Sequence, residues 1–469
     1  MQKYRTCLYA AATASVVLMA GSSAAGAAPG ARQARQVSPA GRSLAASPDA
    51  RLWVKRYNGT GNNTDVAEAV AVSPSGKTVY VTGQSYGTAG VVDYATVAYK
   101  AATGARLWVR RYNGPTGSLS NVPSSVAVSP DGKKVFVTGT SIVGQFGDYA
   151  TVAYNSATGA QLWAKHYNGP LNNDDEAAAV AVSHTSGTVY VTGFSWGKVG
   201  GADYATIAYN AATGHQQWLR RYDNGGTDEA TSIAVSPTTG TVYVTGESFV
   251  PSPPSLDYGT VAYSATGRQL WVRHYAGPGN NTDDATSVAV NPSSGTVYVT
   301  GYSWGTSNTP DYATVAYTAS GTGLWVRRYN GSANYYDKAT SVAVSPATGT
   351  VFVTGYSTGV NTGADYATIA YSPAGKRLWI KRYNSPGNGT DKATSMALNI
   401  TSGRVYVTGQ VPGSQYATVA YDAAGTQRWV ARSIGSVLYA SSVAVSPTTG
   451  TVFVTGTNGG DYITIAYQG

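Results

Sequence analysis

The sequence predicts an all-β fold: a single eight-bladed β-propeller of four-stranded antiparallel blades. Three observations predict it. A unit made of Ala-Thr-Ser-Val-Ala-Val-Ser-Pro, Gly-Thr-Val-Tyr-Val-Thr-Gly, Asp-Tyr-Ala-Thr-Val-Ala-Tyr and Leu-Trp-Val-Arg-Arg-Tyr recurs, with variations, eight times. Its tryptophans stand at Trp53, Trp108, Trp163, Trp218, Trp271, Trp325, Trp379 and Trp429, a period of about fifty-odd residues that marks a stack of one supersecondary unit. The apolar runs are short and β-branched or aromatic, and Gly, Pro, Asn and Asp punctuate them, with no helical period.

The elements follow in chain order. Residues 1–27 carry Lys3 and Arg5, an apolar stretch from Leu8 to Ala20 and small residues ending in Ala27, the layout of a cleavable secretory signal. The apolar stretch is too short to span a bilayer, and no later one is longer, so no integral membrane segment is expected. The single cysteine, Cys7, lies within this signal, which leaves a mature chain without disulfides, thiolate ligands or a cysteine nucleophile. Residues 28–50 are rich in Ala, Arg, Ser, Pro and Gly and read as a flexible leader. The propeller occupies residues 51–469.

In the first unit the strands are expected near 67–73, 78–84, 93–99 and 106–113. Ser73-Pro74-Ser75-Gly76 turns between the first two and Ala102-Thr103-Gly104 between the last two. Short four-stranded units that cannot bury both faces alone pack radially as blades. The final unit stops at Tyr467 without a tryptophan-bearing fourth strand, whereas Leu52 to Tyr57 is a fourth strand with no preceding three. The amino-terminal strand is therefore predicted to complete the eighth blade and close the ring, leaving no unpaired edge between the ends.

Val128 to Thr138 resembles the YVTN type of propeller repeat, and the Ala-Thr-Ser-Val-Ala-Val…Gly-Thr-Val-Tyr-Val-Thr-Gly-Tyr-Ser units resemble the bacterial SBBP propeller repeat. Ala153 to Trp163 is similar to the tryptophan-docking motif of quinoprotein propellers, with Asn155 where that motif has Asp. The likeness covers nearly all of residues 51–469 and implies tryptophans that lock neighbouring blades. Quinoprotein dehydrogenases hold their quinone against an adjacent-cysteine disulfide and a calcium ion. The mature chain has no cysteine, so no cofactor is expected.

Of the four histidines, His166 and His274 replace the second Arg of a fourth strand, while His184 and His215 sit in turns. All four are expected on the surface and away from the ligand face, which argues against a Ser-His-Asp hydrolase or a histidine-ligated metal. An Asp precedes the first strand in six units, at Asp65, Asp175, Asp228, Asp283, Asp337 and Asp391, with Asn121 and Leu438 in the other two. Such a ring has two readings: an acidic collar at the axial mouth, or aspartates accepting backbone N–H bonds in their own loops. For the Asp93 series, hairpin register places Asp93 beside Arg111, which predicts an ion pair repeated round the ring.

The net charge of +9 comes mainly from basic pairs such as Lys55-Arg56, Arg110-Arg111, Arg220-Arg221, Arg327-Arg328 and Lys381-Arg382. They are spread round the rim and do not form the contiguous basic stripe that nucleic acid requires. Rim solvation and edge protection are the expected role.

Departures from the repeat mark candidate ligand contacts. After Val-Thr-Gly the units diverge, and Trp196 and Trp304 are the only tryptophans outside the repeat position. Phe249 lies between them, Tyr302 precedes Trp304, Tyr335 and Tyr336 occupy the loop entering blade 6, and Glu247 is one of four glutamates. With Asp228, Asp283 and Asp337 they are expected to form a binding quadrant on blades 3–6. Aromatic faces and acceptors suit sugars or a protein surface; the alternative is that the tryptophans pack over their own blades. The function expected first is a secreted, monomeric, non-catalytic module that binds an extracellular glycan or protein. The second is a secreted enzyme on the same scaffold, using Glu247 and collar aspartates as acid and base in a hydrolase or lyase, with a PQQ-type oxidoreductase behind it.

Overall fold

Each repeat unit folds into four strands whose β-branched and aromatic side chains fill the seams between blades. The computed structural model describes residues 51–469, apart from residues 89, 199, 200, 280, 414 and 433–436. The signal and leader expected over residues 1–27 and 28–50 lie outside the described residues. Of the described residues none is helical, and no helix is long and apolar enough to cross a membrane.

Thirty-two strands form eight blades. β1 spans Arg51–Tyr57. Blade 1 follows as β2 (Val66–Val72), β3 (Thr78–Tyr86), β4 (Val92–Lys100) and β5 (Arg106–Tyr112). These bounds fall within two residues of the expected ones. Blade 2 begins at β6 (Ser118–Val128), and blades 3 to 7 begin at Asp175, Asp228, Asp284, Asp337 and Lys392. Blade 8 consists of Val437–Val445, Val452–Asn458, Asp461–Tyr467 and β1, in that spatial order. β1 runs antiparallel to Asp461–Tyr467, from Arg51 opposite Tyr467 to Tyr57 opposite Tyr462. The ring is closed by the amino-terminal strand.

Four devices hold the seams. First, each repeat tryptophan reaches into the next blade: Trp53 Nε1 donates to Ala101 O at 2.8 Å, Trp108 to Ser156 O at 2.9 Å and Trp218 to Ala265 O at 2.9 Å. The turn it meets must be glycine, because a Cβ at Gly104, where φ is +67°, would fall 2.7 Å from the Trp53 ring. Second, the third-strand tyrosines donate across the seams, as in Tyr94 to Ala150 O, Tyr258 to Ala313 O and Tyr462 to Ala95 O, the last of these joining blade 8 to blade 1. Third, a bulge in each inner strand re-aims one side chain at the neighbouring blade. Ser124, Thr231, Thr286, Thr340, Thr394 and Ser441 use it to donate to the next blade's inner-strand carbonyl. Fourth, Arg110, Arg220, Arg273 and Arg327 donate through Nε to a turn carbonyl of the following blade, at 2.6–2.9 Å. Three of them, Arg110, Arg220 and Arg327, are first members of basic pairs and act as latches, which corrects the expectation of rim solvation and edge protection for those residues.

Inside every blade a threonine pair joins strands two and three, from Thr82 with Thr96 to Thr455 with Thr464. These hydroxyls are buried and satisfied, which removes the penalty of burying them.

Candidate functional site at the mouth of the axial channel

The inner strands line the axis. At the end carrying the strand one-to-two turns, the channel wall is apolar, built from Val128, Val182, Val235, Val290 and Val344 with neighbouring alanines. The other end is charged. Reading the residue after the loop-entry Asp or Asn position in blades 1 to 7 gives Val66, Val122, Glu176, Glu229, Asp284, Lys338 and Lys392. Blades 3–5 therefore contribute acids and blades 6–7 lysines. Glu247 adds to the acidic arc, since it pairs with Glu229 in blade 4. Glu68, at the bulge of β2, stands where six other blades carry a seam hydroxyl. All four glutamates of the chain thus lie on the two innermost strands of their blades.

Lys338 joins the two halves. Its Nζ is 3.5 Å from Asp284 Oδ2 and 4.6 Å from the centroid of the Tyr302 ring. The next lysine repeats the arrangement, with Lys392 Nζ 5.2 Å from the Tyr356 ring. Tyr336 bridges the two platforms, stacking on Tyr356 at 6.1 Å and 9° and standing 6.3 Å from Tyr302. Burial, together with the neighbouring Asp174 and Glu229, pushes the Glu176 carboxyl up to about 7. Burial raises Asp284 as well, and Lys338 opposes that rise. Burial pushes Glu68 up to about 7.

The expected site residues separate into three groups. Glu247, Tyr302, Tyr336 and Tyr335 belong to the mouth; Tyr335 is 63 % exposed and Tyr336 37 %. Trp196 and Trp304 end the second strands of blades 3 and 5, and Phe249 lies near the end of that of blade 4, Val242–Pro251. Trp196 is 38 % exposed, Trp304 is half-buried, and the Phe249 ring lies so close over Gly226 that no Cβ fits there. Asp228, Asp283 and Asp337 form the third group and turn into their own loops. All are buried. Asp228 accepts from Asn224 N at 2.8 Å, Asp283 from Gly277 N at 2.5 Å and Trp304 N at 2.8 Å, and Asp337 from Gly331 N at 2.5 Å and Thr358 N at 3.1 Å. The collar is a ring of loop caps. Burial raises the Asp228 carboxyl to about 6.

The Asp93 series forms ion pairs as its register predicts: Arg111 with Asp93 at 2.7 Å, Arg221 with Asp203 at 2.6 Å, Arg328 with Asp311 at 2.9 Å and Arg382 with Asp365 at 2.8 Å. In blades 2 and 4 the histidines take the Arg position and bond instead to tyrosines of the preceding blade, His166 to Tyr112 and His274 to Tyr222. Without an Arg partner, Asp148 is pushed up to about 6 by burial and by Asp175.

Asp284, Lys338, Lys392, Glu176, Glu229 and Tyr356 were not among the expected site residues. For the five charged residues the signal was a column of the repeat, the residue after the entry Asp, which is apolar in blades 1 and 2 and charged in blades 3 to 7.

A closed eight-bladed propeller with one polarised mouth is the class of protein these features define. Residues 93–359 match the family described as outer membrane protein assembly factor BamB, of the PQQ_2 type, and the chain belongs to that family. No curated protein matches it. Among solved structures, the chain is similar to Sqt1 from Chaetomium thermophilum, with a TM-score of 0.60 at 12% identity over 90% of this chain and 98% of that one. The same protein bound to the N-terminus of ribosomal protein L10 gives 0.58 at 13%, over 87% and 97%. The quinohemoprotein alcohol dehydrogenase of Comamonas testosteroni gives 0.55 at 15%, over 90% and 77%. These likenesses show the fold.

The residues present do not fit a pyrroloquinoline quinone. That cofactor is a tricarboxylate, and the mouth on blades 3–5 would meet it with Glu176, Glu229, Glu247 and Asp284. Among the described residues no group of three or more His, Cys, Asp or Glu is placed to hold a metal ion that could neutralise those charges.

Proposed function

We propose that the chain is an exported binding module, a propeller of the SBBP and YVTN kind, that takes a polypeptide ligand across the mouth of its axial channel. One observation carries this: acids on blades 3–5 face lysines on blades 6–7, with Tyr336 and the exposed Tyr335 beside the lysines. A surface with both signs of charge and an aromatic anchor matches a peptide segment bearing a basic residue, an acidic residue and an apolar side chain. The signal-like residues 1–27 support export to the cell exterior. Selection from a displayed peptide library tests the reading. Peptides enriched on the wild type are expected to carry a basic residue next to an apolar one and to lose binding to Glu229→Lys and Tyr336→Ala. Equal binding to both variants, or no enrichment, overturns it.

The enzymatic reading has one observation in its favour, the Glu176 carboxyl at about 7 with Glu229 beside it, a pair able to hold one proton near neutrality. It predicts turnover of a hydrolase substrate that Glu176→Gln abolishes.

A further inference from the structure

We propose a second ligand site, independent of the mouth: a polar cleft on blade 1 that binds a hydroxyl-rich ligand of the saccharide class. The cleft has a volume of about 600 Å³ and lies between the loops entering blades 1 and 2 and the loop joining β3 to β4. Thr60, Thr88, Thr116, Asn113, Asp93 and Arg111 are among its lining residues. Hydroxyls and an amide can donate and accept, which matches the two-way bonding of a sugar hydroxyl.

Asp93 supplies a carboxylate to the cleft. It is 7 % exposed. Its Oδ2 accepts from Arg111 Nε at 3.0 Å and Nη2 at 2.7 Å, while Oδ1 is buried without a hydrogen-bond partner among the described residues. The same oxygen is unbonded in Asp203, Asp311 and Asp365, the equivalent positions of blades 3, 5 and 6. What is particular to blade 1 is that this oxygen, costly to leave unbonded, belongs to a residue lining a cleft wide enough for a ligand hydroxyl to approach the carboxylate. The remaining Arg111 donors go to Tyr57, Ser85 Oγ and Ser85 O. The cation is fully used, so the cleft offers no free positive charge to an anion. Its polar lining disfavours an apolar guest.

Gly87 keeps the space over the carboxylate open, because a Cβ there would sit 3.2 Å from Asp93 Oδ2. The neighbouring wall departs from the repeat. The loop entering blade 2 meets Asn121 where six other blades have the capping Asp. Asn121 donates instead to Val92 O at 3.1 Å and accepts from Ser118 Oγ at 2.9 Å. β6 accordingly starts early and touches β4 in parallel, at Val92 opposite Ser120. The altered cap and the cleft coincide.

Saturation-transfer NMR on the full chain tests this with tetrasaccharides of glucose, galactose, mannose and N-acetylglucosamine. The wild type is expected to bind at least one, with a dissociation constant on the order of millimolar for a site without an aromatic platform. Gly87→Val should weaken that binding roughly tenfold or more, and Tyr336→Ala should leave it unchanged. If Gly87→Val fails to melt cooperatively, Thr116→Trp, which fills the cleft from an exposed loop, decides. Absence of transfer to all four sugars, wild-type binding by both cleft variants, or loss only in Tyr336→Ala would each overturn the proposal. Because the peptide selection reads the mouth alone, failure of one site is distinguishable from failure of the other.

Discussion

Lys338 of blade 6 holds its ammonium 4.6 Å from the ring centroid of Tyr302 on blade 5. The same ammonium pairs with Asp284, so one cation ties an acid and an aromatic of the preceding blade to the lysine side of the mouth. Lys338→Met should remove both contacts at a cost of about 1 kcal/mol or less. The Asp284 carboxyl, already raised by burial, should rise further, as followed by carboxyl ¹³C NMR. Retention of peptide binding with an unmoved Asp284 would show that the cation has no role at the mouth.

The two raised glutamates give the fold a pH signature. Glu68 and Glu176 stand at about 7 in the folded chain, against about 4.3 unfolded. The folded state therefore retains protons that the unfolded state releases, and their contribution to stability is lost as pH rises from roughly 4 to 7. Glu68→Gln combined with Glu176→Gln should melt above the wild type at pH ~8, with the difference vanishing near pH ~4.5. Desolvation lowers His166 and His274 and works in the opposite direction, so the difference between variant and wild type is the quantity to read.

Loop capping predicts that Asp337→Ala destabilises by about 1–3 kcal/mol, because it orphans the Gly331 and Thr358 N–H groups. Asp337→Asn should recover part of this. Peptide affinity at the mouth, measured well below the melting temperature, should not change.

The tryptophan latch can be divided. Trp108→Phe keeps most of the packing and loses the bond to Ser156 O, at a cost of about 1 kcal/mol. Trp108→Ala also leaves a cavity between Tyr80, Tyr154 and Gly159 and should cost about 3–5 kcal/mol in denaturant titration.

Removing residues 51–57 should lower the melting temperature far more than removing 28–50. It strips the outer strand from blade 8 and with it the Trp53 bond to Ala101 O. Coincident melting of the two truncations would contradict closure by β1.

What the sequence disclosed followed the reach of the repeat. Strand positions, the β1 clasp and the Arg111–Asp93 pair were legible because a period of two and a hairpin register decide them within one unit or between its ends. The Arg220 latch to Gly267 O was not, since its partner lies in the next blade and spacing says nothing about how seams face each other. The aspartate ring showed identity without direction: a carboxylate at a loop entry can turn outward to a ligand or inward to the loop, and Asp337 turns inward. Lys338 and Lys392 are unremarkable within a single unit, because the mouth is defined by a change of sign along one column of the repeat that emerges only when the blades are set side by side.

The clasp also sets an order of events. β1 is the first of the described strands to be synthesised, and its partner, Asp461–Tyr467, is the last. Until that partner exists, blades 1 to 7 can form only an arc with two raw ends, and Tyr57, Trp53 and Ala67 have no Tyr462, Phe453 or Ala466 to cover them. Closure is then a single late step over nearly the whole described chain. Its entropic cost grows only logarithmically with that length, but its search is slow. Once made, the β1 pairing joins two strands that no turn connects, so its strength bears directly on how long the folded state lasts.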